Sequence, residues 1–130
     1  MQWMFIALGL LVLLVVLGAL VVSIQRSRSI GASDRARLDK EWAHAVSLAA
    51  PDAQISEAEK VLDHAFALLG AKGSFADKLR ALGPRLGDAQ AVWNIHKLRN
   101  RLAHEPGVHA TASDAKRALA IFRRAIDDLT

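Results

Sequence analysis

Residues 52–69 read DAQISEAEKVLDHAFALL, and the spacing within them decides the fold. Ile55, Ala58, Leu62, Ala65, Phe66 and Leu69 recur at steps of three and four, which gathers them on one face of an α-helix and would scatter them over both faces of a strand. Pro51 just ahead marks the end of a preceding helix, because the residue before a proline is pushed out of the α region. Gly70 and Gly73 just behind suit the left-handed geometry that closes helices. A helix with one apolar face needs other helices to cover it.

The flanks supply them. Upstream, Ser33 or Asp34 is placed to cap a helix reaching about Ala49, with Leu38, Trp42, Ala45 and Val46 on one side. Downstream, Ser74 with Asp77 resembles a variant capping box and opens a short helix, Phe75 to Leu82, closed by Gly83-Pro84. Asp88 caps a helix from Ala89 to about His104, ended by Glu105-Pro106-Gly107. Thr111 with Asp114 opens the last, about Ala112 to Leu129, with Ala115, Leu119, Phe122 and Ile126 inward. No alternating β-branched run, repeat, heptad or low-complexity tract appears beyond the N-terminal segment. The expected fold is all-α: an N-terminal transmembrane helix, then a small bundle of four longer helices and one short one.

That N-terminal helix is read from charge as well as hydropathy. The chain has 17 Lys and Arg and 13 Asp and Glu, and every one of them lies beyond Gln25. Trp3 to Val22 is apolar apart from two glycines, and twenty helical residues span about 30 Å, the thickness of a bilayer's hydrocarbon core. A cleaved signal peptide is the rival reading, but it calls for a basic start, a shorter apolar core and a small-residue cleavage site. Arg26, Arg28, Arg35 and Arg37 follow the span and nothing basic precedes it, so the N-terminus is expected outside and the rest in the cytoplasm. Residues 1–24 are thus expected to span a membrane and to meet lipid through 3–24. Residues 25–33 form a short basic linker with some slack, its arginines at the headgroups, and 34–130 one cytoplasmic domain. The absence of cysteine excludes disulfides and thiolate metal sites.

One stretch carries chemistry, His96-Lys-Leu-Arg-Asn-Arg-Leu-Ala-His104-Glu105. On a helix, Ala91, Ile95, Leu98 and Leu102 form the core stripe, while Trp93, His96, Asn100 and His104 form a second stripe on which Asn100 reaches His104. Arg99 stands about 140° from His104 on an ideal helix, so the length of the arginine side chain, a distorted last turn or a second subunit is needed to join them. The segment resembles the signature of HEPN domains, in which an arginine, a polar residue and a histidine follow in that order. From Glu57 to Leu129 the chain is also similar to the C-terminal part of small bacterial single-pass membrane proteins.

The resemblance implies a helical bundle that commonly dimerises and a metal-independent ribonuclease activity. Arg99, Asn100 and His104 then take the catalytic positions, with His96, Lys97 and Arg101 as substrate-binding candidates. The chemistry is coherent: Arg99 would grip a phosphate with a planar fork, His104 would move a proton, and Asn100 would orient it. One histidine does not serve readily as both acid and base, so a symmetric homodimer completes the site. RNA or a nucleotide is the expected ligand, and no cofactor or metal is expected. The alternative is a non-catalytic, membrane-tethered module for dimerisation or interaction, since such residues also cap helices and bridge subunits.

Other features argue less. His44, His64 and His109 have no ligand spacing. Lys116, Arg117, Arg123 and Arg124 make a basic stripe best read as a solvated face. Trp42 and Trp93 read as core or interface aromatics. Glycine-rich phosphate loops, nucleophile elbows and thiol nucleophiles are missing, which leaves kinase, serine-hydrolase and thiol chemistry without support.

Overall fold

A computed structural model describes the backbone of residues 1–130 and the side chains of all but residues 25–27. Six α-helices follow in order, α1 (Gln2–Ser27), α2 (Ala32–Ser47), α3 (Pro51–Leu68), α4 (Phe75–Leu82), α5 (Ala89–His104) and α6 (Ala112–Leu129), with a 3-10 turn at Gly83–Arg85. There is no strand among them, and the bundle is built from four longer helices and one short one, preceded by the apolar α1. Within α1 the 23 residues Gln2–Ile24, of mean hydropathy 3.2 with none buried, are long and apolar enough to cross a membrane.

Caps set most of the boundaries. The Ser74 hydroxyl accepts from the Asp77 N–H while Asp77 accepts in return from the Ser74 N–H, and Thr111 and Asp114 repeat that exchange at α6. These bonds hold both aspartates below the usual carboxylate range, the backbone N–H being the larger cause. Asp88 caps α5 through the Ala91 N–H. Gly70 (φ 88°) and Gly73 (φ 95°) take the left-handed conformation expected after α3.

The first two bundle helices differ from expectation at their ends. α2 begins ahead of Ser33 and Asp34, with Gly31 as its N-cap, because Ile30 is already drawn into the core. It stops at Ser47, and Pro51 opens α3 at the first-turn position, where proline's missing N–H costs nothing. Val46 is 45 % exposed where burial was expected. α2 meets α3 along Leu38 and Ala45, two turns apart, and the next residue is rotated about 100° away from that seam. The expected slack ahead of the bundle is also small, since α1 continues through Ser27 and only Arg28 and Ser29 precede the buried Ile30. The Arg26 side chain, expected at the headgroups, lies outside the described residues.

α3 is the hub, packed on α6, α2, α4 and α5. Asp52 at its start accepts from the Ala110 N–H just before α6 and Gln54 donates to Val46 O, while Arg35 at the start of α2 donates to Thr130 O. Gly87 N–H, just before α5, donates to Asp128 near the end of α6. The helices therefore run alternately up and down, α2 and α5 rising from the α1 end, α3 and α6 returning to it. Phe66 and Phe122 are the largest fully buried side chains, among Leu38, Ile55, Leu62, Leu79, Ile95 and Ile126.

Candidate functional site

The α3–α5 contact brings together a polar group that the apolar seam encloses. Glu59 sits between Ile55 and Leu62 on the buried face of α3, and its side chain is 8 % exposed. Across from it on α5, His96 Nδ1 lies 3.0 Å from Glu59 Oε2. Asn100, one turn further on, stands with its Nδ2 3.3 Å from His96 Nε2. The two bonds together describe an imidazole whose Nδ1–H donates to Glu59 and whose Nε2 accepts from the Asn100 amide. Arg99 Nε is 3.6 Å from Glu59 Oε1, an ion pair without a hydrogen bond, and that nitrogen is buried with no hydrogen-bond partner.

Aromatic rings close the group. Phe75 stacks on His96 at 4.7 Å between centroids, Phe66 backs Phe75 at 5.6 Å, and Trp93 meets His96 edge-on at 6.1 Å under the Arg80 guanidinium. A shallow cleft opens beside them, lined by Lys60, Ser74, Phe75, Glu59, His96 and Arg99. Burial pushes the Glu59 carboxyl above the usual carboxylate range, and the hydrogen bond from His96, with the charge of Arg99, reverses this only in part.

A raised carboxyl binds its proton more tightly in the folded state than in the unfolded one. Its contribution to stability is therefore full below the unfolded value and lost as the pH rises through the folded value. Asp52, lowered chiefly by the Ala110 N–H, has the opposite sign: its contribution is present above its unfolded value and lost in acid. Glu59→Gln is expected to remove the first component alone. Subtracting its stability from that of the parent chain across an acid-to-neutral pH series should give a difference that favours the parent increasingly toward acid. A flat difference would place Glu59 in an environment other than this one.

The expected catalytic residues are divided by this arrangement. Arg99 and Asn100 belong to the Glu59–His96 group, and Asn100 contacts His96 rather than His104. His104 is exposed on the last turn of α5, at the end of the bundle farthest from α1, and its side chain makes no hydrogen bond among the described residues. Of the substrate-binding candidates, His96 is enclosed, while Lys97 and Arg101 face solvent, Arg101 pairing with Glu105 at 3.4 Å. They line a second shallow depression with Leu98, His109 and Arg117.

Glu59 is the residue that the sequence reading missed. A signal was there: it falls four residues after Ile55 and three before Leu62, a charge in the middle of an apolar stripe. Two of the remaining histidines have acidic partners on other segments. His64 pairs with Glu41 at 2.9 Å and His109 with Asp52 at 3.0 Å, and among the described residues no three His, Cys, Asp or Glu gather as metal ligands would. The basic stripe of α6 is not uniformly solvated, since Arg123 bridges Asp39 and Asp127 beneath Trp42. No family model, curated protein or solved structure matches the chain.

Proposed function

We propose that this chain is a single-pass membrane protein whose HEPN-like helical domain serves as a dimerising interaction module at the cytoplasmic face, without a catalytic centre within one chain. The observation that carries this reading is the division of the motif. Arg99 and Asn100 are engaged with Glu59 and His96 inside the α3–α5 seam, and His104 stands apart in solvent. Phosphate grip and proton transfer need both groups within reach of one substrate. The tether is supported by α1, whose apolar side chains are all exposed and would be costly in water. Its orientation is supported by Arg28, Arg35 and Arg37 on the flank that follows the span.

A second reading follows from His104 itself. An unengaged imidazole beside exposed Lys97 and Arg101 is what a dimeric ribonuclease site would present to a symmetry mate. The two readings separate in one experiment, in which the full chain in vesicles, and its His104→Ala variant, are incubated with single-stranded RNA. No turnover by either is expected, together with covalent capture of paired copies by a short cross-linker. Turnover by the parent chain that His104→Ala abolishes would overturn the interaction reading and establish the ribonuclease.

A further inference from the structure

We propose that the end of the bundle nearest α1 is a docking surface for anionic lipid headgroups, formed by Arg28 together with Lys72 and Arg85 of the folded domain. The inference rests on the reading of α1 as a membrane span, and it names the ligand that this end of the domain meets.

Three observations converge on it. The first is distance. From Ile24, the last residue of the apolar segment, three helical residues add about 4.5 Å. The connection from Ser27 to the buried Ile30 adds at most about 10 Å. The domain's near end is therefore held within about 15 Å of the hydrocarbon boundary, where the headgroup layer itself occupies about 5–8 Å.

The second is attachment. Arg85 Nη1 donates to the Arg28 carbonyl at 2.7 Å, and the Arg28 guanidinium lies where a Cβ on Gly70 would stand. The 3-10 turn at Gly83–Arg85 and the loop after α3 are thus fixed against the segment that leaves the membrane. Neither is close to it in sequence.

The third is charge. Arg28 and Lys72 are exposed and Arg85 half-exposed at this end. The carboxylates nearby are turned to other partners: Asp88 accepts from Ala91 N–H, Asp128 from Gly87 N–H, and Asp127 pairs with Arg123. Arg35 is occupied with Thr130 O, and Arg124 lies beside Asp128 at Gly87. Among the described residues, Asp34 in the first turn of α2 and Asp88, whose partner is a neutral N–H, carry no cation partner and oppose the three cations at this end. Surface potential falls off over about 8 Å at physiological ionic strength, so cations at this height lie in the field of an anionic leaflet.

Docking would fix the long axis of the bundle away from the bilayer and present the His104 end to the cytoplasm. The test uses the full chain in vesicles of phosphatidylcholine alone or mixed with phosphatidylserine, read by backbone hydrogen exchange. Segments 70–73 and 83–87 are expected to exchange more slowly on the anionic vesicles, while the far loop at 105–110 does not change. Each cation near the surface is worth about fivefold in binding, so Lys72→Gln and Arg85→Gln should each weaken the protection by about that factor, as should high salt. Arg85→Lys keeps the charge and should keep the protection.

Equal exchange on both kinds of vesicle, by chain that stays bound through an alkaline wash, would overturn the proposal while leaving the tether intact. Chain that washes off would overturn the tether reading and this inference with it.

Discussion

Phe66→Ala is expected to destabilise the bundle by about 3–5 kcal/mol, the range for emptying a fully buried phenylalanine site. Small domains hold only about 5–15 kcal/mol in total, so this one substitution removes a large share. Phe66 is fully buried on α3 and backs the Phe75 ring, which in turn stacks on His96. α3 is held against four other helices, which cannot all move in to close the gap, so the cavity term adds to the lost transfer term. Denaturant unfolding followed through Trp42 and Trp93 should show a lower midpoint with an unchanged slope. The loss should also be felt along the ring stack: the His96 ring signals should shift as Phe75 relaxes, and those of His44, on the outer side of α2, should not. A shift of less than about 1 kcal/mol would mean that the site collapses freely and is not packed as described.

His96→Phe is expected to cost about 1–3 kcal/mol, the penalty of leaving a buried acceptor unsatisfied. The ring volume is retained, so the effect isolates the Glu59 carboxylate, which is left with Arg99 at 3.6 Å and no hydrogen bond. Adding Glu59→Leu should recover most of the loss, because replacing both polar partners with apolar groups removes the desolvation cost along with the bond. Arg99 then loses its carboxylate, but its side chain is 30 % exposed and can turn to water. The double-mutant cycle should report a clear coupling between the two positions. Strict additivity would mean that Glu59 and His96 do not support one another, and the site as drawn would fail.

The fold was legible because its signals are local. The starts of the helices at 75, 89 and 112 were readable, since Ser74, Asp88 and Thr111 announce their own helices by side-chain bonds three residues long, and the ends at about 104 and 129 were readable approximately. Where a boundary depended on packing, it moved: α2 begins early because Ile30 finds the core, a fact about residues far along the chain. The candidate site was legible only in composition. Helical periodicity set His96 and Asn100 on one stripe, yet it could not say which neighbour Asn100 would choose. That choice is made by Glu59 on another helix, which fixes the His96 ring and leaves its Nε2 facing the amide. The separation of Arg99 from His104 was visible as an angle, and what Arg99 turns toward was not.

The pairing of α3 with α6 sets an order of assembly. These two helices share the most extensive contact in the bundle, with residues 69–111 between them. During synthesis α1 emerges first and α2 and α3 can pair early. The side of the core that takes Phe122, Ile126 and Leu129 stays open until α6 has left the ribosome. Contacts between segments so distant form late, after the closure entropy of the intervening chain has been met. Throughout that interval Phe66, Leu62 and their neighbours are an uncovered apolar strip, the kind of surface that draws aggregation. Closure by α6 over the open side of α3 ends the vulnerable stage in the folding of this bundle.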